Sequence, residues 1–145
     1  MLLNDIIAIG GTTAFEDPLT ESEFENQFIS GAHCLCCFLA ESDTQVVGFQ
    51  SLILHSKLPE NWADIATFAR AKPKVPGVGT ALFDSTLAFA REQGFAALNA
   101  TIRADNRSGL AYYSKMGFQD YAVDPGVPLK DGTPVDRVSK RYAIE

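Results

Sequence analysis

Between Arg70 and Thr80 the chain reads Arg-Ala-Lys-Pro-Lys-Val-Pro-Gly-Val-Gly-Thr. This stretch joins a run rich in β-formers, Trp62 to Ala69, to an amphipathic run that begins near Thr80. A glycine-rich turn that opens a helix is an anion site in physical terms. The glycines let the backbone approach a ligand closely, and the helix start offers free N–H groups and the positive end of its dipole. Arg70, Lys72 and Lys74 add positive charge to an otherwise acidic protein, which points to a phosphate ligand. The loop is not a Walker sequence, because no Gly-Lys-Ser/Thr follows. It is not the dinucleotide fingerprint either, since only Gly-x-Gly is present. On its own such a loop also serves as a plain strand-to-helix turn.

Charge is divided unevenly along the chain. The formal net charge is −6, which argues against nucleic acid as a partner. Residues 1–69 hold ten acidic side chains and one basic one, whereas residues 70–145 hold eight acidic and eleven basic ones. The basic half suits an anionic ligand and the acidic half a cationic one. The three cysteines, Cys34, Cys36 and Cys37, crowd into four positions and form no disulfide framework. That pattern implies a reducing compartment, the cytoplasm. No Cys/His set at zinc spacing accompanies them, so they read as small buried hydrophobes and no metal is expected. In a strand, Cys34 and Cys36 would face one side and Cys37 the other. The apolar runs are far shorter than the ~20 residues of a membrane span. The start, Met-Leu-Leu-Asn-Asp, lacks the basic n-region of a secretory signal.

The elements that must hold the loop follow from periodicity and punctuation. With 145 residues, 46% of them hydrophobic, the chain makes one domain, 1–145, with a core of its own. Leu3 to Ile9 reads as a short helix closed by Gly10-Gly11. Thr20-Glu-Ser-Glu23 reads as a capping box for a second helix carrying Phe24, Phe28 and Ile29. Cys34–Ala40 and Gln45–His55 form a hairpin about a polar turn, and Trp62–Ala69 makes a third strand. Leu82, Phe83, Thr86, Leu87 and Ala90 line one stripe of the helix after the glycine loop, and Gly94 ends it. Ala97–Ile102 is a fourth strand. Asp105 or Asn106 caps a helix that ends at Gly117. Phe118–Val123 is a fifth strand, Asp124–Pro134 a loop, and Val135–Ile144 the last strand. The fold class is therefore α/β, a mixed sheet flanked by helices.

Two stretches together resemble a known family. Lys74-x-x-Gly77-x-Gly79 is similar to the Arg/Gln-x-x-Gly-x-Gly/Ala signature of the GNAT acetyltransferase superfamily. Asn106, then Ala111, Tyr113 and Gly117-Phe118, resemble its Asn…Ala-x-Tyr-x-x-x-Gly-Phe pattern. The two span roughly residues 64–123 with a strand between them. Thr13-Ala-Phe-Glu16 ahead of Pro18, together with Glu23, resembles the phosphinothricin acetyltransferase-like group more weakly.

The resemblance implies a mostly antiparallel mixed sheet and acetyl-CoA as co-substrate. Amides of Val75, Gly77, Val78, Gly79 and Thr80 would hold the pyrophosphate, with Lys74 beside them as a point charge. Pro76 has no N–H to contribute. The backbone of Phe68 and Ala69 would pair with the pantetheine arm, and one of these N–H groups would stabilise the oxyanion. Asn106 would contact the same arm while capping its helix. Tyr113 would be the general acid for the departing thiolate, with Tyr112 beside it as core. The base is left open among Asp64, Glu41, His55 and a water chain.

The expected activity is transfer of acetyl to the primary amine of a small molecule by direct attack in a ternary complex. The rival readings are a coenzyme A or acetyl-CoA sensor without turnover, and a nucleotide-phosphate binder resting on the loop alone. One departure from the pattern concerns the family's opening strand, which is expected to be absent because only about 33 residues precede the first strand. That would leave an open sheet edge along Cys34–Ala40. The expectation is a homodimer that also hides Leu2, Leu3, Ile6 and Ile7, or else coverage of the edge by residues 1–15.

Overall fold

The computed structural model describes residues 2–71 and 73–144. Helix α1 (Leu2–Ile9) buries Leu3, Ile6 and Ile7 at helical spacing. It stops where Gly10 and Gly11 both take left-handed φ near 80°. Helix α2 (Glu21–Phe28) starts at the expected capping box. Glu23 N–H donates to Thr20 Oγ1, and Thr20 N–H donates back to Glu23 Oε1.

Strands β1 (Cys34–Ser42) and β2 (Gln45–Ile53) form the expected hairpin. Its two turn residues, Asp43 and Thr44, both have positive φ, the geometry that matches the strand twist. Strand β3 (Trp62–Ala69), helix α3 (Val78–Glu92), strand β4 (Ala97–Arg103) and helix α4 (Arg107–Met116) follow, then strands β5 (Gln119–Pro128) and β6 (Pro134–Ala143). The six strands lie in the order β1-β2-β3-β4-β6-β5. Only β3 and β4 are parallel; every other neighbouring pair is antiparallel.

Helices cover both faces of the sheet. Phe83 and Ala90 of α3, with Tyr113 of α4 and Phe118, pack on Leu52, Ile65, Leu98 and Ile102. On the other face α1 and Phe28 of α2 pack on Phe49 and Phe68, whose rings stack.

Three local expectations are corrected. Cys34 and Cys36 do not share a face, because a register shift between them turns the strand. Leu35 and Cys36 both face the α3 layer, while the Cys34 thiol reaches carbonyls of Asn26 and Gln27 on α2. Burial pushes the Cys36 thiol up to about 11, where it is unreactive. Residues Asp124–Pro128 are not loop but the end of β5, paired with β6 beyond a second register shift. As an edge strand, β5 tolerates proline, whose missing N–H need not face a partner. Finally, α1 lies against the face of β2 and β3 and does not run along β1. Leu3, Ile6 and Ile7 are thus core, unavailable to a dimer interface. The outer edge of β1 has no strand partner among the described residues.

Candidate active site

The sheet opens between its two parallel strands. β3 and β4 pair only at Trp62–Asp64 with Ala97–Asn99. Beyond Asp64, β3 keeps its pairing with β2, and β4 keeps its pairing with β6. Each therefore turns one bare backbone edge into the gap. The alternation of strand hydrogen bonds shows which groups are free. Arg70 N–H donates to Val47 O on the β2 side (2.8 Å), and Ala96 N–H donates to Asn61 O on the β4 side (2.8 Å). Odd-numbered residues of β3 thus point at the gap, so Ile65, Thr67 and Ala69 present N–H and C=O groups there. Ala69 therefore has its backbone groups free at the gap. The backbone N–H and C=O of Phe68 turn to β2 instead, although Phe68 also lines the cavity.

A cavity of about 650 Å³ fills the gap and runs to the start of α3. Phe68, Ala69, Lys74, Val75 and Gly77 line it, as do Val78, Gly79, Thr80, Asn106 and Tyr113. The ten residues given to the cofactor and the acid all line it. Gly77 caps α3 with φ 79° and offers no side chain. The first bond at this helix start runs from Ala81 N–H to Gly77 O, which leaves the amides of Val78, Gly79 and Thr80 without helical partners. No acidic residue occupies the first turn.

The cations around this start are used unequally. Lys74 is exposed at the cavity. Arg70 spends its guanidinium on Pro73 O (3.0 Å) and Gln45 Oε1 (3.1 Å), bracing the loop. Lys72 lies outside the described residues. Gly79 has a packing reason of its own: a Cβ there would come within 2.5 Å of the Tyr112 ring. At Gly77 an added Cβ would meet open space, so what demands glycine there is the left-handed backbone.

Helix α4 begins differently. Asn106 Oδ1 accepts from Gly109 N–H (3.0 Å), as an N-cap should. Its Nδ2 donates to Thr12 O (3.1 Å), so one of its two amide hydrogens is engaged. Arg103 forks onto both carboxylate oxygens of Asp105 and donates to Thr13 O (3.0 Å). The loop after α1 is thereby tied across the cavity and roofs it.

Tyr113 is buried, and its hydroxyl lies 2.8 Å from Thr67 Oγ1. Burial pushes the phenol well above its ordinary value, only partly offset by the Thr67 hydroxyl. Tyr112 Oη donates to Gly79 O (2.7 Å). Asp64 is the one carboxylate among the described residues lining the cavity. Burial raises its pKa, against the opposing effect of an N–H from Asn99 (2.8 Å) and of nearby His55. Tyr121 donates to the same asparagine's Oδ1. Glu41 sits at the hairpin end of β1, opposite Val46, and does not reach the cavity. His55 lies outside the cavity lining, where its Nδ1 accepts from Lys57 N–H. Thr67 also lines the cavity, and Gln50 bonds to it from behind; the motifs flagged neither. Their signal was a polar residue at a core-facing position of an apolar strand.

A mixed sheet split between parallel strands, with an uncapped helix start at the split, defines the GNAT fold. The chain belongs to the acetyltransferase (GNAT) family, whose model matches residues 5–118. A search of curated proteins finds no match. Solved structures share the fold. An N-acetyltransferase from Staphylococcus aureus aligns at 18% identity and TM-score 0.81, covering 99% of this chain and 89% of that one. A GNAT superfamily phosphinothricin acetyltransferase from Sinorhizobium meliloti, in complex with AcCoA, aligns at 16% identity and TM-score 0.83, covering 99% and 80%. A ribosomal-protein-alanine N-acetyltransferase from Brucella melitensis aligns at 20% identity and TM-score 0.79, covering 98% and 90%.

Proposed function

We propose that the protein transfers the acetyl group of acetyl-CoA to the primary amine of a small molecule, by direct attack in a ternary complex. The observation that carries this reading is the gap between β3 and β4. It joins an open strand edge to an uncapped, acid-free helix start in one cavity. An extended amide chain ending in a pyrophosphate fits that combination. The edge at Ile65, Thr67 and Ala69 pairs with the amides, and the Val78–Thr80 amides with Lys74 hold the anion. The Sinorhizobium relative was solved with AcCoA, which accords with this assignment.

Each chemical role has a residue. An alkylamine with pKa near 10 must shed a proton before it attacks, and Asp64 is the cavity's carboxylate base. An N–H of the β3 edge stabilises the tetrahedral oxyanion. Tyr113 keeps its proton at every working pH because burial raises its pKa. A phenol so weakly acidic serves the departing sulfur best as a hydrogen-bond donor while charge builds on it.

The deciding experiment is a panel of amines incubated with acetyl-CoA, with free thiol release and acceptor mass both followed. An acetylated amine supports the reading. Coenzyme A binding with no product from any amine would favour a sensor. We also assign the protein to the cytoplasm, where its free thiols persist. We assign it a homodimeric state through the open β1 edge, where Leu39 is 54% exposed. Light scattering that returns the 15.7 kDa of one chain would refute the dimer.

A further inference from the structure

Gln50 is fully buried in β2, at 0% exposure, between Phe49 and Ser51. A buried amide is costly unless its hydrogens are used. Its Nε2 donates to Thr67 Oγ1 (2.9 Å) and to Tyr112 Oη (3.1 Å), while Oε1 has no partner among the described residues. Counting protons from a fixed end gives this chain of bonds a direction. Gly79 O can only accept, so the short 2.7 Å bond spends the proton of Tyr112. Tyr112 Oη must then accept from Gln50, which fixes the amide with its NH₂ toward the tyrosine. The second N–H of that group goes to Thr67. Thr67 Oγ1, already accepting, has its own proton to give, and the neighbour at 2.8 Å is Tyr113 Oη.

We infer that Gln50 is a positioning residue: through Thr67 it makes Tyr113 an acceptor within the core, so that the Tyr113 proton points into the cavity. This deepens the proposed acetyl transfer and rests on it. With Gln50 in place one Thr67 lone pair is taken and the Thr67 proton is turned to Tyr113; without Gln50 both lone pairs are open to the Tyr113 proton, which is then held inside the protein. Gln50 itself touches neither substrate nor reacting atoms.

The test is a double-mutant cycle on steady-state acetyl transfer, using the best amine acceptor and acetyl-CoA. Gln50→Leu should lower kcat about tenfold, the worth of one directed hydrogen bond, and leave KM for acetyl-CoA within about twofold. In a Tyr113→Phe background Gln50→Leu should cause almost no further loss. Thr67→Val removes the hydroxyl that would otherwise hold the Tyr113 proton, so in that background too Gln50→Leu should cause almost no further loss, and the near-isosteric Gln50→Met serves if the buried leucine impairs folding. An equal loss from Gln50→Leu in wild type and in Tyr113→Phe, or full activity in Gln50→Leu, overturns the inference. So does a loss that appears in KM and vanishes in Tyr112→Phe, which would mean that Gln50 acts through the cofactor loop. If Tyr113→Phe alone is silent, the acid assignment fails, and the role given to Gln50 fails with it.

Discussion

Two strand–helix units wall the cavity, and they treat the same backbone problem in opposite ways. In β4–α4 the helix start is closed: Asn106 satisfies the first-turn amide of Gly109, and Asn106 and Arg103 both reach out to hold the roof loop. In β3–α3 the strand edge is bare after Asp64, and the helix cap is a glycine with no side chain. Every helix start carries unpaired donors. One unit satisfies one of them with its own side chain, while the other leaves its first-turn amides open. The difference teaches that binding capacity here lies in what the sequence omits beside α3.

The largest effect expected of that difference concerns Asp64, on the open wall. Asp64→Asn should lower turnover by roughly 10²–10⁴-fold, the usual worth of a general base. It should not lower stability near neutral pH. The sign follows from the raised pKa: the folded state holds the proton more tightly than the unfolded chain, so the wild-type carboxylate loses stability as pH rises through its folded pKa. Asparagine carries no such charge and still accepts from Asn99. In the wild type, turnover should fall as pH is lowered through that same raised pKa. A pH–rate profile and thermal melts check both halves, and normal turnover in Asp64→Asn would move the base elsewhere.

A smaller effect is expected at the helix start itself. Thr80→Glu places a carboxylate where the anion should bind. Coenzyme A affinity should fall at least ~10-fold, about 1.4 kcal/mol, while the helix gains about 0.3–1 kcal/mol from its dipole. Calorimetric titration beside thermal melting separates the opposed signs. An unchanged affinity would mean that α3 does not hold the pyrophosphate.

The smallest effect belongs to the closed wall. Asn106→Ala should cost about 1 kcal/mol of stability, a fall of roughly 3 °C in Tm for a chain of this length. Coenzyme A affinity should change by less than it does in Thr80→Glu. A greater loss of affinity would place the second hydrogen of the Asn106 amide on the cofactor arm, and the closed wall would then be a binding wall as well.

Much of this contrast is written in local sequence. The Thr20–Glu23 box, the Asn106 cap, Gly77 and Gly117 each act within a few residues, so their signals are short and legible. β3 runs from Trp62 to Ala69, as the β-formers indicated. The gap itself has no local signature, because it is the absence of pairing between strands separated by a whole helix. The parity that turns Ala69 rather than Phe68 toward it depends on how β2 pairs, which residues 62–69 do not reveal. The bulge at Cys34–Cys36 and the pairing of Asp124–Pro128 were hidden for the same reason. Gly79 fits a ligand motif, yet the Tyr112 ring fills the space a side chain there would need, and only the packed structure shows it.

The roof bonds have a consequence for how the molecule comes into being. Thr12 and Thr13 are held by Asn106 and Arg103, and Glu16 by the backbone of Lys130, across 94, 90 and 114 residues of chain. A chain emerging from the ribosome can pair β1 with β2 early, since those contacts are near in sequence. It cannot close its cavity until Arg103 and Asn106 hold the roof and Arg137 of β6 completes the lining. A closed cavity is therefore among the last features the nascent protein acquires, and a chain cut short within the β5–β6 hairpin keeps an open site.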